Sequence, residues 1–520
     1  MASSVAVRTE PAERVGVARG LSLRVAAIIA GAITLSIFLL RTAWVAEDAY
    51  ISFRVIDNLL HGYGLRWNIA ERVQVYTDPL FVFLLTIPTW ISGNVYLSAV
   101  FVSFVLSIAA YYLIVRGAEV AGILIATTAL LFSKSFMDFS ISGLENPATH
   151  LAIAGFLYFY WRGRDPFRLS LMAALAATNR MDTVLFFAPA LAAVYWENGW
   201  RVWRRVLLGW SPFLTWSAFS LFYYGFLLPN TAYAKLHTGI PSRDLLYQGT
   251  LYYLNAARND SVTIVVIAAG LVVAFLVREW WLAAGVLLNL VYIVRVGGDF
   301  MSARFFSGAL IVAVAVIARY WKLRPVFTVA AMVALAGIGM SIPYPTVTSA
   351  RADYGRPWPV GEDGIADERA FYYPTCGLLQ YRSGIPWPSI SWVQTALQFQ
   401  KDGMPVRSVG NIGIIGYFVG PTIHILDPMA LGDAFLARLP IRKGPWRPGH
   451  YWRDIPKGYR ASLNSGKNEV VDPQLHEYYN HLRPLIAGNL FSASRVKDIL
   501  LMNVGYYDYL LPKEIGGANK

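Results

Sequence analysis

Eleven apolar stretches in the first 343 residues constrain the fold of this chain more than any other feature. Each is long enough for a membrane span or a deep membrane helix. Of the 520 residues, 56% are hydrophobic and only 15% are charged, which predicts a polytopic α-helical membrane protein with about eleven transmembrane helices. The stretches cover residues 25–44, 94–115, 118–135, 146–161, 167–178, 183–197, 206–226, 261–277, 280–296, 305–319 and 325–343.

The distribution of arginines predicts how these helices are oriented. Residues 1–24 are basic, and no small-residue cleavage site follows the first apolar stretch, so we expect that stretch to stay as an anchor. If the short apolar run 79–93 does not cross the membrane, the arginine clusters between the later spans lie on the same side of the membrane as the N-terminus. The positive-inside rule therefore predicts a cytoplasmic segment 1–24, an interfacial first external loop 45–93 and an external C-terminus.

Residues 344–520 differ in composition from the preceding part, with many Pro, Gly, Trp and Tyr residues and no further span. The runs at 406–418 and 422–427 favour strands and turns, whereas 365–380 and 475–500 favour helices. This pattern predicts a soluble external domain of α/β type. Cys376 is the only cysteine, which excludes an intramolecular disulfide and a cysteine-based metal cage. The net charge of +13 is expected in cytoplasmic loops and gives no indication of nucleic-acid binding.

Glu47 and Asp48 directly follow the first span. The next thirteen residues place their polar members on one face of a helix, which predicts a helix lying in the membrane interface. Asp48 would stand at its N-terminal end, where the helix dipole favours an ionised carboxylate. It is either a helix cap or a general base, or a carboxylate that stabilises positive charge during a reaction. The polar face consists of Arg54, Asp57, Asn58 and His61.

The predicted external loops also carry cations. Basic side chains at membrane depth need an anionic partner. Asp299 and Asp182 could neutralise them, or the cations could hold a lipid phosphate. A carboxylate opposite a phosphate clamp indicates a transferase that uses a lipid-phosphate sugar. The cations are Arg180, Lys235, His237 and Arg304.

Several motifs resemble the actinobacterial terminal arabinofuranosyltransferases of the GT-C superfamily, whose donors are polyprenyl-phosphate sugars. The acidic pair is Glu-Asp here where Asp-Asp is expected, which favours Asp48 over Glu47 as the reacting group. The matching motifs are EDAYISFRVIDNLLHGYGLRWN (47–68), ERVQVYTDPL (71–80), SGLEN (142–146), NTAYAK (230–235), GGDFMSARFF (297–306) and VGNIGIIGYFVGPTIHILDPMALGD (409–433).

The resemblance implies a GT-C fold over residues 25–343 and an acceptor-binding role for the periplasmic domain 344–520. It implies decaprenylphosphoryl arabinose as donor and the arabinan of arabinogalactan or lipoarabinomannan as acceptor, with terminal β-(1→2) linkages formed at the plasma membrane. The outcome would be net retention, with Asp48 either a nucleophile or an aid to front-face attack. No obligatory cofactor is implied, and a divalent metal is left open.

Together, motifs and topology give a set of candidate site residues. Asp48 and Glu47 are the catalytic candidates. The donor phosphate would be held by Lys235, Arg304, Arg180 and His237. Residues expected to contact the sugar or support those that do are Asn230, Tyr233, Asp299, Asp182, Glu145 and Arg54.

A basic and aromatic segment, residues 442–460, contains Trp446, Tyr451 and Trp452. These rings are either packed in the domain core or available to stack on the C–H faces of acceptor sugars. Basic and aromatic residues also alternate in nucleic-acid binders, but an external domain has no such partner to meet.

Two other function classes remain compatible with the sequence. A GT-C enzyme for a different sugar, such as a mannosyltransferase, needs the same carboxylate and phosphate clamp. A transporter or flippase would need polar groups near the middle of the bilayer and often has repeated halves. The sequence has no internal repeat and few ionisable residues within the spans, which disfavours that class.

Overall fold

The computed structural model describes residues 11–236, 238–348 and 360–512, and this part of the chain is mostly helical. Each of the eleven apolar stretches contains a helix, as the hydropathy predicts. The helices up to residue 348 are α1 (Pro11–Thr42), α2 (Ala49–Leu60), α3 (Pro79–Ser92), α4 (Val95–Val115), α5 (Val120–Phe132), α6 (Lys134–Phe139), α7 (Asn146–Arg162), α8 (Pro166–Asn179), α9 (Val184–Asn198), α10 (Trp203–Tyr223), α11 (Asn230–Leu236), α12 (Ser242–Asn259), α13 (Ser261–Leu276), α14 (Trp280–Arg295), α15 (Ser307–Tyr320) and α16 (Pro325–Ser341).

Several basic side chains lie at one end of the helical bundle. Arg24 in α1 donates to the carbonyl of Arg116, just after α4, at 3.3 Å. The Arg116 guanidinium lies 4.5 Å from the ring centroid of Tyr158 in α7. Nearby, Glu279 accepts a hydrogen bond from the Trp161 indole at 2.8 Å. Arginine-rich loops that the charge distribution assigns to one side of the membrane therefore share one end of the bundle.

The other end of the bundle carries residues 360–512. The amide of Leu378 donates to the carbonyl of Ala43, after α1, at 2.9 Å. Asn94, between α3 and α4, donates to the Tyr381 hydroxyl at 2.7 Å. Helix α1 ends and helix α4 begins at this end of the bundle. Helix α3 lies between them in the chain, so it both starts and finishes at this end.

Two helices of the described chain are long and apolar enough to cross a membrane unaided, Ser22–Thr42 and Val95–Val115. A third candidate is the pair α12 and α13, which is bent by 106° at its break. Other apolar helices have 10–17 residues, fewer than the roughly 20 that a straight span needs. The number of eleven spans therefore stays a prediction.

The C-terminal region contains less strand than the sequence pattern suggests. Its described sheet consists of two three-residue parallel strands, with Val406 paired to His424. In the run 406–418, expected as strand and turn, Val406–Ser408 is a strand as predicted, whereas Ile414–Phe418 is helix, and the described part of the domain is mainly helical. The elements are α17 (Glu368–Cys376), α18 (Ser391–Asp402), β1 (Val406–Ser408), α19 (Ile414–Phe418), β2 (His424–Leu426), α20 (Tyr459–Ser465), α21 (Pro473–Ala487) and α22 (Ala493–Asn503).

Only part of the polar face of α2 is covered: Arg54 and Asn58 are buried, whereas the side chains of Asp57 and His61 are 42% and 67% exposed. Arg54 is only 2% exposed. Its guanidinium donates to the carbonyls of Trp67 at 2.7 Å and Ile423 at 3.0 Å, and also to the carbonyl of Gly416. This placement corrects the interfacial stripe at Arg54. Of the two roles expected for Arg54, it favours support of the site over sugar contact, because protein carbonyls already occupy its donors.

Candidate active site

Asp48 lies in the short connection between α1 and α2. Its backbone is already helical, with φ −57° and ψ −28°, and its side chain makes no capping hydrogen bond to α2. Such a bond defines a side-chain helix cap, so the interpretation of Asp48 as a cap is wrong. Asp48 instead lines two neighbouring cavities.

The two cavities meet at this aspartate. We call the larger one, of about 370 Å³, the bundle-side cavity, because loops at the helix ends line it, among them 143–145, 180–182 and 228–236. The smaller one, of about 210 Å³, is the domain-side cavity, which extends to residues of the C-terminal region. The residues found in both linings are Asp48, Ile51, Lys235 and Leu431.

A network of buried ion pairs forms one wall of the bundle-side cavity. Both carboxylate oxygens of Glu145 accept from Nη2 of Arg304, at 2.8 and 2.9 Å. Glu145 also accepts from Arg180 at 2.9 Å, and Asp182 accepts from two other nitrogens of Arg180 at 3.0 and 2.9 Å. Burial would raise the pKa of Glu145, but the two guanidinium groups lower it to about 2. The carboxylate is therefore ionised at any pH near neutrality.

This network corrects the expected pairing of the cations. Asp182 neutralises Arg180, and Glu145, which the sequence did not single out as a partner, neutralises Arg304. Asp299 lies farther from Arg304, at 3.7 Å from Nη1, whose other contact among the described residues is the Met301 sulfur at 3.5 Å. Arg304 thus keeps one nitrogen without a close oxygen partner, whereas carboxylates occupy Nε, Nη1 and Nη2 of Arg180.

Lys235 is the cation shared by both cavities. It is exposed and makes no ion pair within the part of the chain that the structure describes. Burial raises the pKa of Asp48, while the positive charges of Lys235 and Arg304 oppose that rise. The site therefore combines a carboxylate that is not used as a cap with an ammonium group free to meet an anion.

Glu47 has a different environment from its neighbour. Its Oε1 accepts from the amides of Gly413 at 2.6 Å and Ile414 at 3.1 Å, so it joins the end of α1 to the C-terminal region. A Cβ at Gly413 would lie 2.1 Å from the Glu47 carbonyl oxygen, so only glycine fits there. Burial and the charge of Asp48 raise the pKa of Glu47 to about 8. This geometry favours an anchoring role for Glu47 over the predicted catalytic one.

Two candidates from the NTAYAK motif support the site from outside it. Asn230 donates to the carbonyls of Ala430 and Leu431, both at 2.9 Å, and accepts from Arg438 at 2.9 Å. Tyr233 lies under the same guanidinium, 4.2 Å from its ring centroid. These contacts fix helix α11 and hence the position of Lys235, so of the two expected roles they favour support of the site over direct sugar contact. His237 lies outside the described residues.

The three aromatic candidates of segment 442–460 gather around a third cavity, of about 340 Å³. Trp452 is 45% exposed and also lines the domain-side cavity. Tyr451 is 5% exposed and packs against Trp446, with ring centroids 6.1 Å apart. Trp452 is therefore the ring best placed to meet a ligand that enters the domain-side cavity.

Sequence reasoning missed three polar residues of the domain-side cavity: Glu368, Arg447 and His450. The charged run DER at 367–369, directly before an aromatic helix, was the available signal for Glu368. Arg447 and His450 lie within residues 442–460, the segment in which only the aromatic rings were predicted to bind. Among the described residues, no three His, Cys, Asp or Glu side chains are grouped as metal ligands would be.

Comparison with known proteins gives one informative similarity. No family model matches the chain, and no solved structure matches it. A terminal beta-(1->2)-arabinofuranosyltransferase from Mycobacterium tuberculosis is 28% identical over 71% of this chain and 69% of its own length. This similarity confirms the resemblance to terminal arabinofuranosyltransferases that the sequence motifs indicated, and it supports a glycosyltransferase activity for this chain.

Proposed function

We propose that this protein transfers arabinofuranose from decaprenylphosphoryl arabinose to the non-reducing ends of arabinan, forming terminal β-(1→2) linkages at the external face of the plasma membrane. The observation that carries this proposal is the position of Asp48 where two cavities of different character meet. A glycosyl transfer needs such a junction, because donor and acceptor must approach one reacting carbon from two sides.

The bundle-side cavity suits the lipid-linked donor. Leu228, Leu236 and Phe305 supply apolar surface in its lining, and Leu236 is 59% exposed, as a site open to a prenyl chain requires. The donor phosphate would meet the ammonium of Lys235 and the available Nη1 of Arg304. Arg180 would hold Glu145 in place without touching the phosphate.

The domain-side cavity suits the glycan acceptor. Tyr372, Trp392 and Trp452 provide aromatic surface for the C–H faces of a sugar, and Glu368 and Arg447 provide groups for its hydroxyls. A polar polymer can reach this cavity only from the aqueous side. The C-terminal region therefore serves acceptor recognition in this proposal.

In the reaction, the bond between arabinose C1 and the phosphate oxygen breaks and a bond from C1 to the acceptor hydroxyl forms. The leaving electron pair stays on the phosphate, where Lys235 stabilises it. Asp48 acts on C1, either as a nucleophile or by stabilising an oxocarbenium-like state. The position of Asp48 in the lining of both cavities is compatible with either form of a retaining reaction.

The test uses purified full-length protein in lipid nanodiscs. Decaprenylphosphoryl arabinose and the corresponding mannose lipid are offered in parallel with a synthetic arabinan acceptor. We expect arabinose transfer, with the β-(1→2) linkage identified by NMR of the product. Transfer of mannose in place of arabinose, or movement of intact donor across the bilayer without transfer, would contradict the proposal.

A further inference from the structure

Glu368 is a second carboxylate of the reaction centre, and its position is fixed by its neighbours in sequence. It is the first residue of α17. On one side, Asp367 pairs with the Lys134 ammonium of the bundle at 3.1 Å. On the other side, Nε of Arg369 donates to the Thr42 carbonyl, at the end of α1, at 3.2 Å. These two contacts hold the start of α17 against the segment that leads into Asp48.

The Glu368 carboxylate is half-buried and weakly bound. Its side chain is 11% exposed, and its nearest cation is Nη2 of Arg447 at 3.7 Å, longer than a hydrogen bond. Arg447 is fixed by a 2.8 Å bond from Nε to the Gly364 carbonyl and by the Phe300 ring, 5.2 Å from its guanidinium. Its Nη2 is buried without a hydrogen-bond partner among the described residues.

An acceptor hydroxyl would satisfy both groups at once. A buried donor left unpaired is costly, so a ligand that accepts a hydrogen bond from Nη2 of Arg447 recovers that free energy. A sugar hydroxyl can accept from the Arg447 guanidinium while donating to the Glu368 carboxylate. The gap between the two side chains opens into the cavity that also contains Asp48.

The two carboxylates differ in which cavity they serve. Asp48 lines both cavities, whereas Glu368 lines only the domain-side cavity, away from the proposed donor phosphate. Building on the proposed function, we propose that Glu368 is a further catalytic residue, which accepts the proton of the acceptor hydroxyl, and that Arg447 positions that hydroxyl. The O–H bond breaks toward Glu368 as the new C1–O bond forms. The bond from C1 to its leaving group breaks in the same step, whether that group is the phosphate or the Asp48 carboxylate.

The electrostatic environment suits a base that works near neutral pH. Burial and the negative charge of Asp48 raise the pKa of Glu368 to about 8, and Arg447 opposes the rise. A base is most effective when its pKa is close to the working pH. The other titratable or charged groups facing it across the cavity are Glu47, Asp48, Lys235, Arg447 and His450.

Glu368→Gln keeps the shape of the side chain and removes its basicity. In full-length protein we expect transfer to arabinan to fall about 100-fold or more. Affinity for decaprenylphosphoryl arabinose should stay within about twofold of wild type, since the donor cavity is unchanged. The control is Glu477→Gln, an exposed glutamate on α21, which should transfer at the wild-type rate.

Two results would overturn this role while leaving the proposed function intact. One is transfer by Glu368→Gln close to the wild-type rate, and the other is a parallel loss of donor affinity. Should Glu368→Gln fail to fold, Glu368→Ala is assayed with and without sodium formate, which we expect to restore transfer. Formate that restores nothing would count against the assignment. Absence of transfer by the wild-type protein would instead reject the proposed function itself.

Discussion

Replacing Lys235 by alanine should weaken donor binding without weakening the fold. The ammonium is the cation shared by both cavities, it is exposed, and it makes no ion pair within the described chain. A hydrogen bond to a charged group contributes about 1.5–3 kcal/mol, so its loss should weaken phosphate binding by roughly 10- to 150-fold. Stability should change by less than about 0.5 kcal/mol, as for other exposed positions.

The assay compares two ligands in detergent-solubilised protein. Decaprenyl phosphate should lose affinity for Lys235→Ala, whereas uncharged decaprenol should bind it as it binds wild type, because only the phosphate meets the ammonium. Lys401→Ala, an exposed lysine on α18, is the matched control and should bind both ligands normally. Equal affinity of Lys235→Ala and wild type for decaprenyl phosphate would refute the assignment of Lys235.

Three further predictions follow from the contacts of the site. Glu145→Ala should lower the free energy of unfolding by about 3–5 kcal/mol in denaturant titrations, since it leaves the buried guanidinium of Arg304 without its bidentate partner; an unchanged midpoint would contradict the ion-pair network. Glu47→Gln should become more stable relative to wild type as pH rises from 4.5 towards 8. The pKa of wild-type Glu47 is raised from 4.5 to about 8 in the folded state, so its ionisation favours unfolding over that range. An equal difference in melting temperature between the two proteins at pH 5 and at pH 8 would contradict this. Trp452→Ala should raise the KM for arabinan and leave donor affinity unchanged, and the reverse pattern would show that the C-terminal region acts on the donor.

Much of the fold follows from the sequence because hydropathy is a local property. Each apolar stretch became a helix, and the arginines after them lie together at one bundle end. The acidic pair at 47–48 was also recognisable, since it directly follows the first span. Asp48 could therefore be singled out before its surroundings were known.

Partner choice could not be predicted, because the partners are far apart in the chain. Arg304 pairs with Glu145, 159 residues away, rather than with the aspartate five residues before it. The polar face of α2 has the periodicity of an interfacial helix, but Arg54 meets the carbonyl of Ile423, 369 residues away. Periodicity shows that a face is polar and does not reveal whether lipid headgroups or a folded domain covers it.

In the run 406–418, a strand forms at Val406–Ser408 as expected, but not at Ile414–Phe418, for a related reason. Its β-branched residues fit a strand, yet Ile414–Phe418 is a helix whose start approaches Glu47. Tertiary contacts between distant segments outweigh local propensity there. Glu368 was missed because one charge in a short charged run resembles a solvated surface, whereas here the run is anchored on both sides of the reacting group.

Donor affinity and transfer rate of Asp48→Asn, measured on the same preparation, test the central claim most directly. Asparagine keeps the size of the side chain and removes its charge, so it acts on the reaction more than on the cavity walls. We predict donor affinity within about threefold of wild type and transfer to arabinan reduced about 100-fold or more. Transfer by Asp48→Asn near the wild-type rate would contradict a reaction centred on Asp48 where the two cavities meet.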